Sequence, residues 1–479
     1  MEREQSAHKG EAEPGSTITM KSLKQLAFAL LAAGIAWPIP ATAQTAPPPL
    51  QPDRTAEDYS FLADPSRRGD WSDTYKYIPV DGGGGAFLSL GSEVRERFEM
   101  FSIPRFGLGT DADSYLLQRV MVHADLRMGR AIRLFAQLGA HDAFGKKLLN
   151  PPDEDHIDVQ QLFVEVRPVQ ELTARVGRQE LAFNPLQRFV SFRDGTNVRQ
   201  NFDGGRVTYR SGPLRVEAFL TSPVTLRRDV FDNSRDRDQL FGGLYASHTL
   251  GPNGRSSLEG YWYRLERDNF RAGPLVGTDR RDSFGIRFAG AAGRFDWDAE
   301  AVLQRGRSIG RKVRAWAGSL DAGYSIKTAP LQPRLGLRFD AGSGDRDPND
   351  TIVGGFHPLF PSGPYFNEAN LTSWTNLVAI RPSIRIQPER RLTLTATAQM
   401  KWREEAGDAV YLGPSAPLPG TAGNREREIG QVYTVDAMFQ LNRNLGLRAY
   451  YLHHSAGDAI AAAGGEAVDF VMSSATLRF

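Results

Sequence analysis

An arginine-rich segment between residues 178 and 206 contains the side chains best suited to bind a charged ligand. It reads RQELAFNPLQRFVSFRDGTNVRQNFDGGR and includes Arg178, Arg188, Arg193, Arg199 and Arg206, but no lysine. An arginine side chain stays charged and presents a rigid fork of donors that matches a carboxylate or a phosphate. The segment therefore predicts contact with an anion. A simple exposed surface loop is the alternative interpretation.

The preference for arginine extends over the whole chain, which contains 49 arginines and 9 lysines. A GC-rich genome would produce the same bias, so the composition alone assigns no function. The net charge is only +2, which argues against nucleic acid as a partner of the whole surface.

A second group of arginines occupies the polar positions of segments in which polar and apolar residues alternate. Its members are Arg95, Arg97, Arg119, Arg175, Arg334, Arg338, Arg403 and Arg448. Acidic residues such as Glu93 and Asp340 share the same face. Two interpretations remain open: a path along which unpaired arginines pass an anion, or ion pairs that only hold the structure open.

The sequence provides little support for a metal site, a cofactor or catalysis. Asp345, Asp347 and Asn349 are spaced like the start of a calcium loop, but the glutamate required at its twelfth position is missing, so they form only a weak calcium candidate. The DGGGG run at 81–85 lacks the Lys-Ser/Thr of a phosphate-binding loop. No serine–histidine pair stands out, so we predict neither an enzyme nor a cofactor.

The elements that carry these arginines have a period of two residues. In RLTLTATAQMKWRE, the apolar positions from Leu392 to Trp402 alternate with the polar positions from Thr393 to Arg403. Such a window predicts a strand with one apolar and one wet face. Windows of this kind recur from Ala86 to the C-terminus and give about eighteen strands.

The links between the predicted strands alternate between short and long. Tight turns such as Asn442–Asn444 follow even-numbered strands, whereas most long links follow odd-numbered strands. The long links are 101–114, 143–156, 181–203, 222–238, 268–280, 343–370 and 407–428. This pattern places the long loops at one end of an antiparallel meander, as in an outer-membrane barrel with short periplasmic turns and long extracellular loops.

The C-terminus supports the same architecture. The chain ends on Phe479 after the alternating stretch SSATLRF, which resembles the signal read by the outer-membrane assembly machinery. Pairing of the last strand with the first would leave no open edge in lipid. The predicted fold class is all-β, a transmembrane antiparallel β-barrel of about eighteen strands, wide enough for an aqueous channel.

The N-terminus predicts export. Lys21 and Lys24, a short apolar stretch and Ala41-Thr42-Ala43 form a cleavable signal peptide over 20–43. Residues 1–19 are interpreted as an over-long start. Residues 44–86 would then form a periplasmic N-terminal segment and 87–479 the barrel, in the outer membrane of a Gram-negative bacterium.

Residues from Tyr59 to Phe479 resemble the alginate export family of outer-membrane barrels. The resemblance is carried by RVGRQELAFNPLQRFVSFRDGTNVRQNFDGGRV, by AFLSLGSEVRERFE and by FHPLFPSGPYFNEANLTSWTNLVAIRPSI. It implies a monomeric eighteen-stranded pore with an electropositive lumen that releases an anionic uronate polymer. The arginines of the 178–206 segment, with Arg95 and Arg97, match family positions. One departure is that the late periplasmic link, Asn442–Asn444, is too short to form the family's plugging loop.

The function predicted from these observations is passive passage of anionic polysaccharide or organic anions. The alternatives are a general or sugar-acid uptake porin and a closed structural or adhesive surface barrel. Expected partners are outer-membrane lipid, lipopolysaccharide, the anionic substrate, the assembly machinery and periplasmic polysaccharide-export proteins. Links 181–203 and 343–370 and segment 44–86 are the candidates for restricting the pore. The aromatic residues of 343–370 predict that this link folds over or into the barrel rather than extending outward, because exposing their apolar surface to water is costly.

Overall fold

The computed structural model describes residues 50–82, 85–109, 111–251, 253–273 and 275–479. The predicted over-long start 1–19 and signal peptide 20–43 lie outside the described residues, as do positions 44–49 of the predicted periplasmic segment. The described part of the chain forms one compact unit. No helix within it has the length and apolar character needed to cross a bilayer.

The described residues form a closed antiparallel barrel of 18 strands, which confirms the predicted fold class. Its strands are β1 (Ala86–Phe101), β2 (Asp113–Met128), β3 (Ile132–Phe144), β4 (Asp155–Val169), β5 (Leu172–Gln179), β6 (Phe202–Ser211), β7 (Leu214–Thr225), β8 (Gln239–Leu250), β9 (Ser256–Ala272), β10 (Leu275–Ala292), β11 (Phe295–Ser308), β12 (Arg311–Ser325), β13 (Arg334–Gly342), β14 (Leu377–Glu389), β15 (Leu392–Trp402), β16 (Glu428–Gln440), β17 (Leu445–His454) and β18 (Val468–Arg478). The barrel closes where β18 pairs with β1, from Glu93 opposite Arg478 to Phe101 opposite Phe470.

The two faces of the barrel wall follow the alternation in the sequence. On β15, Gln399 and Lys401 point inward and are buried. Large apolar side chains cover the outside, where they would face lipid. Examples of these exposed residues are Val122, Leu134, Leu162, Val176, Leu220, Leu244, Phe284, Leu303, Leu320, Leu337, Ile384 and Val435.

One predicted long link is wrong. Residues 268–280 were expected to form a loop, but β9 continues to Ala272 and β10 begins at Leu275. The strands pair almost to their tips, with a register shift between Arg267 and Phe270. A strand that rises above the bilayer is wet on both faces, so it shows no alternation and its sequence looks like a loop.

Short elements complete the structure. The helices are α1 (Asp73–Lys76) and α2 (Asp458–Ala461), and 3₁₀ turns occur at Arg54–Ala56, Ser60–Ala63, Pro65–Arg67, Pro104–Gly107 and Gly363–Tyr365. Two-residue or three-residue strands lie at Ile78–Pro79, Ser234–Arg235, Ile352–Val353, Tyr411–Gly413 and Ala416–Pro417. Ile78–Pro79 pairs with β1, which anchors the described N-terminal residues to the barrel.

Three segments fold into the barrel and create its core. We call residues 180–201 the arginine loop, residues 343–376 the aromatic loop, and residues 50–79 the N-terminal insert. Phe360 of the aromatic loop lies 4.9 Å from both Phe202 and Phe241, measured between ring centroids. Phe356, Phe360, Tyr365 and Phe366 are all buried, which confirms that this loop folds inward.

Candidate functional site in the barrel lumen

Two inward-facing arginines of the barrel wall hold the tip of the arginine loop. Arg95 on β1 donates hydrogen bonds of 2.7 Å to the main-chain carbonyls of Asp194 and Thr196. Arg119 on β2 donates to the Asp194 carbonyl at 2.7 Å and to its carboxylate at 2.8 Å. The loop is therefore bound to the wall by side chains on two neighbouring strands.

A buried ion cluster surrounds this attachment. Arg199 contacts the Asp194 carboxylate at 2.5 Å and Glu93 at 3.4 Å, and Arg119 contacts Glu93 at 3.3 Å. Burial alone would raise the pKa of Asp194, but Arg199, Arg119 and Arg95 outweigh it and hold the pKa well below its usual value. Asp194 thus stays ionised and pairs with the arginines around it.

Glu180 at the start of the arginine loop is in the opposite situation. Its carboxylate lies 3.8 Å from Arg199 and accepts a hydrogen bond of 2.9 Å from Gln160. Burial raises the pKa of Glu180 to about 8 in spite of Arg199. A neutral Glu180 leaves the cluster with a surplus of positive charge near pH 7.

Arg188 connects the arginine loop to the far wall and to the aromatic loop. Its guanidinium contacts Asp298 at 2.6 Å and Glu300 at 2.8 Å, both on β11. The same group donates to the Tyr365 hydroxyl at 2.9 Å. Ser191 also donates its main-chain N–H to the Phe360 carbonyl at 2.9 Å. The two loops therefore form one structure across the lumen.

The aromatic loop is held by three of the predicted arginines. Glu368 lies between Arg97 at 3.0 Å and Arg448 at 2.7 Å. Arg338 donates to the Tyr365 carbonyl at 3.0 Å and pairs with Asp340. These side chains come from β1, β17 and β13, so the loop is attached on several sides of the barrel.

Most other predicted arginines have partners on neighbouring strands or within a loop. The contacts are Arg175 with Glu165 at 3.2 Å, Arg178 with Asp203 at 2.9 Å, Arg206 with Glu217 at 3.7 Å, Arg334 with Asp296 and Asp321, and Arg403 with the carbonyls of Asp408 and Thr421 at 2.7 and 2.8 Å. These interactions position the wall and the loops.

Arg193 differs from the others. Among the residues that the structure describes, its guanidinium has no ion pair or hydrogen bond. Burial lowers the pKa of Arg193 to about 10, which still leaves the side chain charged at neutral pH. Its main chain is left-handed, with a φ of 55°, a costly conformation for a residue other than glycine that is often retained at functional sites.

Arg381 is a second such arginine, and the sequence analysis missed it. Arg381 lies on β14, opposite Arg338 of β13. Its side chain forms no ion pair or hydrogen bond with the described residues. It shares its inward parity with the buried Ala379, whereas Ile384 points outward. Alternation over IRPSIRI could have identified it from the sequence.

The carboxylates of the weak calcium candidate already contact other groups of the protein. Asp345 contacts Arg311 at 3.3 Å and accepts a hydrogen bond from the Gly354 N–H. Asp347 accepts one from the Asn349 N–H at 2.9 Å. Among the described residues, one group of possible ligands is gathered elsewhere, at Asp142, Glu154 and His156, but Glu154 is already paired with Arg228.

The N-terminal insert packs against the barrel end at which β1 begins and β18 ends. Arg54 donates to the carbonyl oxygen of Phe479 at 2.7 Å, and Lys76 donates to the Leu90 carbonyl at 2.8 Å. Arg199 of the arginine loop donates to the Pro52 carbonyl at 3.0 Å. The insert therefore reaches from the C-terminal residue of the barrel to the ion cluster in the lumen.

Comparisons with known proteins agree with this geometry. A family described as Alginate export matches residues 86–474. Among curated proteins, none matches this sequence. Solved structures of similar fold include three Pseudomonas aeruginosa proteins, among them OpdK, which is described as an outer membrane protein.

The three structures match this chain to a similar degree. OccK2 (OpdF) in complex with glucuronate has a TM-score of 0.55 at 13% identity and covers 82% of this chain and 98% of its own. OpdK with vanillate has a TM-score of 0.54 at 13% identity and covers 81% and 98%. OpdQ has a TM-score of 0.55 at 12% identity and covers 82% and 98%. At these identities the likeness shows a shared barrel fold.

Proposed function

The chain belongs to the alginate export family, and we propose that it is a passive channel whose arginines pass carboxylated sugars, either as a uronate polymer or as small organic anions. The barrel is of the outer-membrane type. Its expected surroundings are lipid and lipopolysaccharide, with the assembly machinery and periplasmic export proteins as partners. No step of the proposed transport requires catalysis or a cofactor.

The observation that carries the proposal is the unpaired Arg193 guanidinium in the lumen. Arg95, Arg119 and Arg199 use their donors to hold the arginine loop, and Arg119 and Arg199 also pair with the acidic groups Glu93 and Asp194. Arg193 has no such partner in the described structure. An unpaired guanidinium in a partly desolvated environment attracts an anion far more strongly than it would in bulk water.

The chemistry of the neighbours is consistent with this assignment. OccK2 was solved in complex with glucuronate and OpdK with vanillate, and both ligands are carboxylates. A guanidinium binds a carboxylate through two parallel hydrogen bonds. Arg193 and Arg381 would offer a mobile carboxylate successive sites along the lumen, since the described residues leave both without an acidic partner.

Ion selectivity in planar bilayers tests the proposal. The wild type should prefer anions when the reversal potential is measured across a potassium chloride gradient. R193Q should reduce the anion-to-cation permeability ratio about fivefold, equivalent to roughly 1 kcal/mol. R390Q, which removes the same charge from an exposed position in the turn after β14, is the control and should keep the ratio. Cation preference in the wild type would contradict the proposal.

A closed structural or adhesive barrel is the second candidate, because three segments occupy the lumen. Negligible conductance of the wild type, together with surface binding that is lost when the long loops are shortened, would favour it.

Flux of glucuronate and of a mannuronate tetramer into liposomes separates small-anion passage from polymer passage. Neighbouring genes for polysaccharide polymerisation or for sugar-acid catabolism would separate export from uptake.

A further inference from the structure

A cleft at the periplasmic end of the lumen lies outside the site described above. It has a volume of about 870 Å³ and lies between the N-terminal insert and the inner rim of the barrel, near the turns that follow β2 and β4. Asp58 and Tyr77 of the insert form one side, and Arg127, Arg133 and Arg167 belong to the other. Its size is within the range of small-molecule sites and suits a short carbohydrate.

The cleft contains more positive than negative charge. Four arginines, Arg127, Arg130, Arg133 and Arg167, line it together with two carboxylates, Asp58 and Glu165. Arg133 is fully engaged, with Asp125 at 2.7 Å and Glu165 at 3.0 Å.

Two of the four arginines are available to a ligand. In the described part of the chain, Arg130 has no ion pair or hydrogen bond from its side chain. Within the described residues, Arg167 has no acidic partner and makes only a long contact of 3.4 Å with the Thr173 hydroxyl. Both side chains are exposed at the rim, where a solute arriving from the periplasm can reach them.

The cleft already binds a carboxylate of the protein itself. Arg127 contacts the Asp58 carboxylate at 2.9 Å and donates to the Glu57 carbonyl at 2.6 Å. The Asp58 side chain is 58% exposed, so its interaction is a surface ion pair worth at most about 1 kcal/mol. A substrate carboxylate can replace a partner held so weakly. The interaction therefore shows both which ligand chemistry the cleft accepts and that the position can be exchanged.

We propose that this cleft is a loading site, in which Arg127, Arg130 and Arg167 bind carboxylates of an oligouronate from the periplasm before the chain reaches Arg193. The inference rests on the proposed function and adds that the substrate enters the channel from the periplasm. Arginines at the periplasmic rim increase the rate of capture from that side only, because charges act over about 8 Å at physiological ionic strength.

Side-specific block of single channels tests the site. The probe is a mannuronate tetramer, added first to one compartment and then to the other. In the double variant R130Q/R167Q, the blocking rate from the periplasmic side should fall about tenfold, the equivalent of 1.4 kcal/mol, while the rate from the outer side stays unchanged. R390Q/R391Q removes the same charge from another periplasmic turn outside the cleft and serves as the matched control.

The orientation of each channel can be determined directly, since the chain contains no cysteine. A biotin on A422C, in the exposed part of the link after β15, marks the outer face, and streptavidin added to one side identifies that compartment. Migration of heated and unheated samples in gels checks that each variant is folded.

The outcomes distinguish this site from the proposed function. A wild type that conducts anions, with a blocking rate that falls only from the periplasmic side of R130Q/R167Q, supports the loading site. An unchanged rate, an equal fall from both sides, or an equal fall in R390Q/R391Q overturns it and leaves the channel function intact. A wild type without anion conductance contradicts the channel function itself, whatever the variants show.

Discussion

At the scale of single residues, arginines that look alike in the sequence have different roles in the structure. Arg193 and Arg199 are six positions apart in one motif, yet Arg199 contacts three carboxylates and Arg193 none in the described structure. Alternation could predict that Arg97 faces inward. It could not predict the partner Glu368, because that residue lies 271 positions away on a loop.

We expect R199Q to release the arginine loop from the barrel wall. The substitution leaves the buried Glu93 and the partly exposed Asp194 with one cation fewer. Breaking a buried pair such as Arg199–Glu93 costs about 3–5 kcal/mol. Limited proteolysis within 180–201 should become faster, and thermal unfolding in detergent should shift to lower temperature. R193Q is the matched control, since it removes an arginine of the same loop without removing a partner. Equal protease sensitivity of the two variants would contradict this assignment.

At the scale of elements, regular alternation predicted the strands well, and loops that fold back could be predicted only in part. The window at Leu392–Trp402 corresponds to β15 itself, because one face meets lipid and the other water. The prediction of a loop at 268–280 was wrong because a hairpin that extends above the bilayer has two wet faces and therefore shows no alternation. The inward fold of the aromatic loop was predictable from its aromatic residues, whereas its attachment to β1, β13 and β17 was not.

Docking of the N-terminal insert should depend on pH through Lys76. Burial, and next the nearby Arg54, lower the pKa of Lys76 to about 7 from an ordinary value of 10.5. The released insert binds more protons than the docked one between these values, so docking weakens as the pH falls from 10.5 to 7 and changes no further below that. Cleavage of residues 50–79 by a protease should be faster at pH 7 than at pH 9.5.

K76M serves as the test variant for this pH dependence. It removes the titrating amine but keeps an unbranched side chain of similar length, so the ratio of cleavage rates at the two pH values should approach one. The wild-type ratio measured on an exposed site in the link after β15 corrects for the pH dependence of the protease. A ratio for K76M equal to that of the wild type would assign the pH effect to another group.

Deleting 346–366 from the aromatic loop should raise single-channel conductance and admit bulky antibiotics. The deletion removes Phe356, Phe360 and Tyr365 from the lumen, all of which are buried there. Conductance in planar bilayers and antibiotic susceptibility of expressing cells measure the two effects. Unchanged values for both would mean that the restriction lies elsewhere in the lumen.

At the scale of the whole molecule, the barrel wall encloses a wide lumen, and three inserted segments determine how much of that lumen stays open. Closure of β18 on β1 removes every open edge of the wall, so the wall alone would leave a pore. The arginine and aromatic loops contact one another through Val190 and Phe360 and act as one obstacle. The N-terminal insert, bound to Phe479, forms another at the barrel end where β18 terminates.

We expect these two obstacles to act in series along the passage, which makes a quantitative prediction. Electrical resistances in series add, so removing 50–77 and removing 346–366 should each lower the single-channel resistance by a fixed amount. The double deletion should lower it by the sum of the two amounts, and its conductance should therefore increase by more than the sum of the two single increases. Recordings of the wild type, both single deletions and the double deletion in one salt solution measure this directly. If ions bypass the N-terminal insert instead, its deletion will leave the resistance unchanged in either background, because an obstacle outside the current path contributes nothing to it.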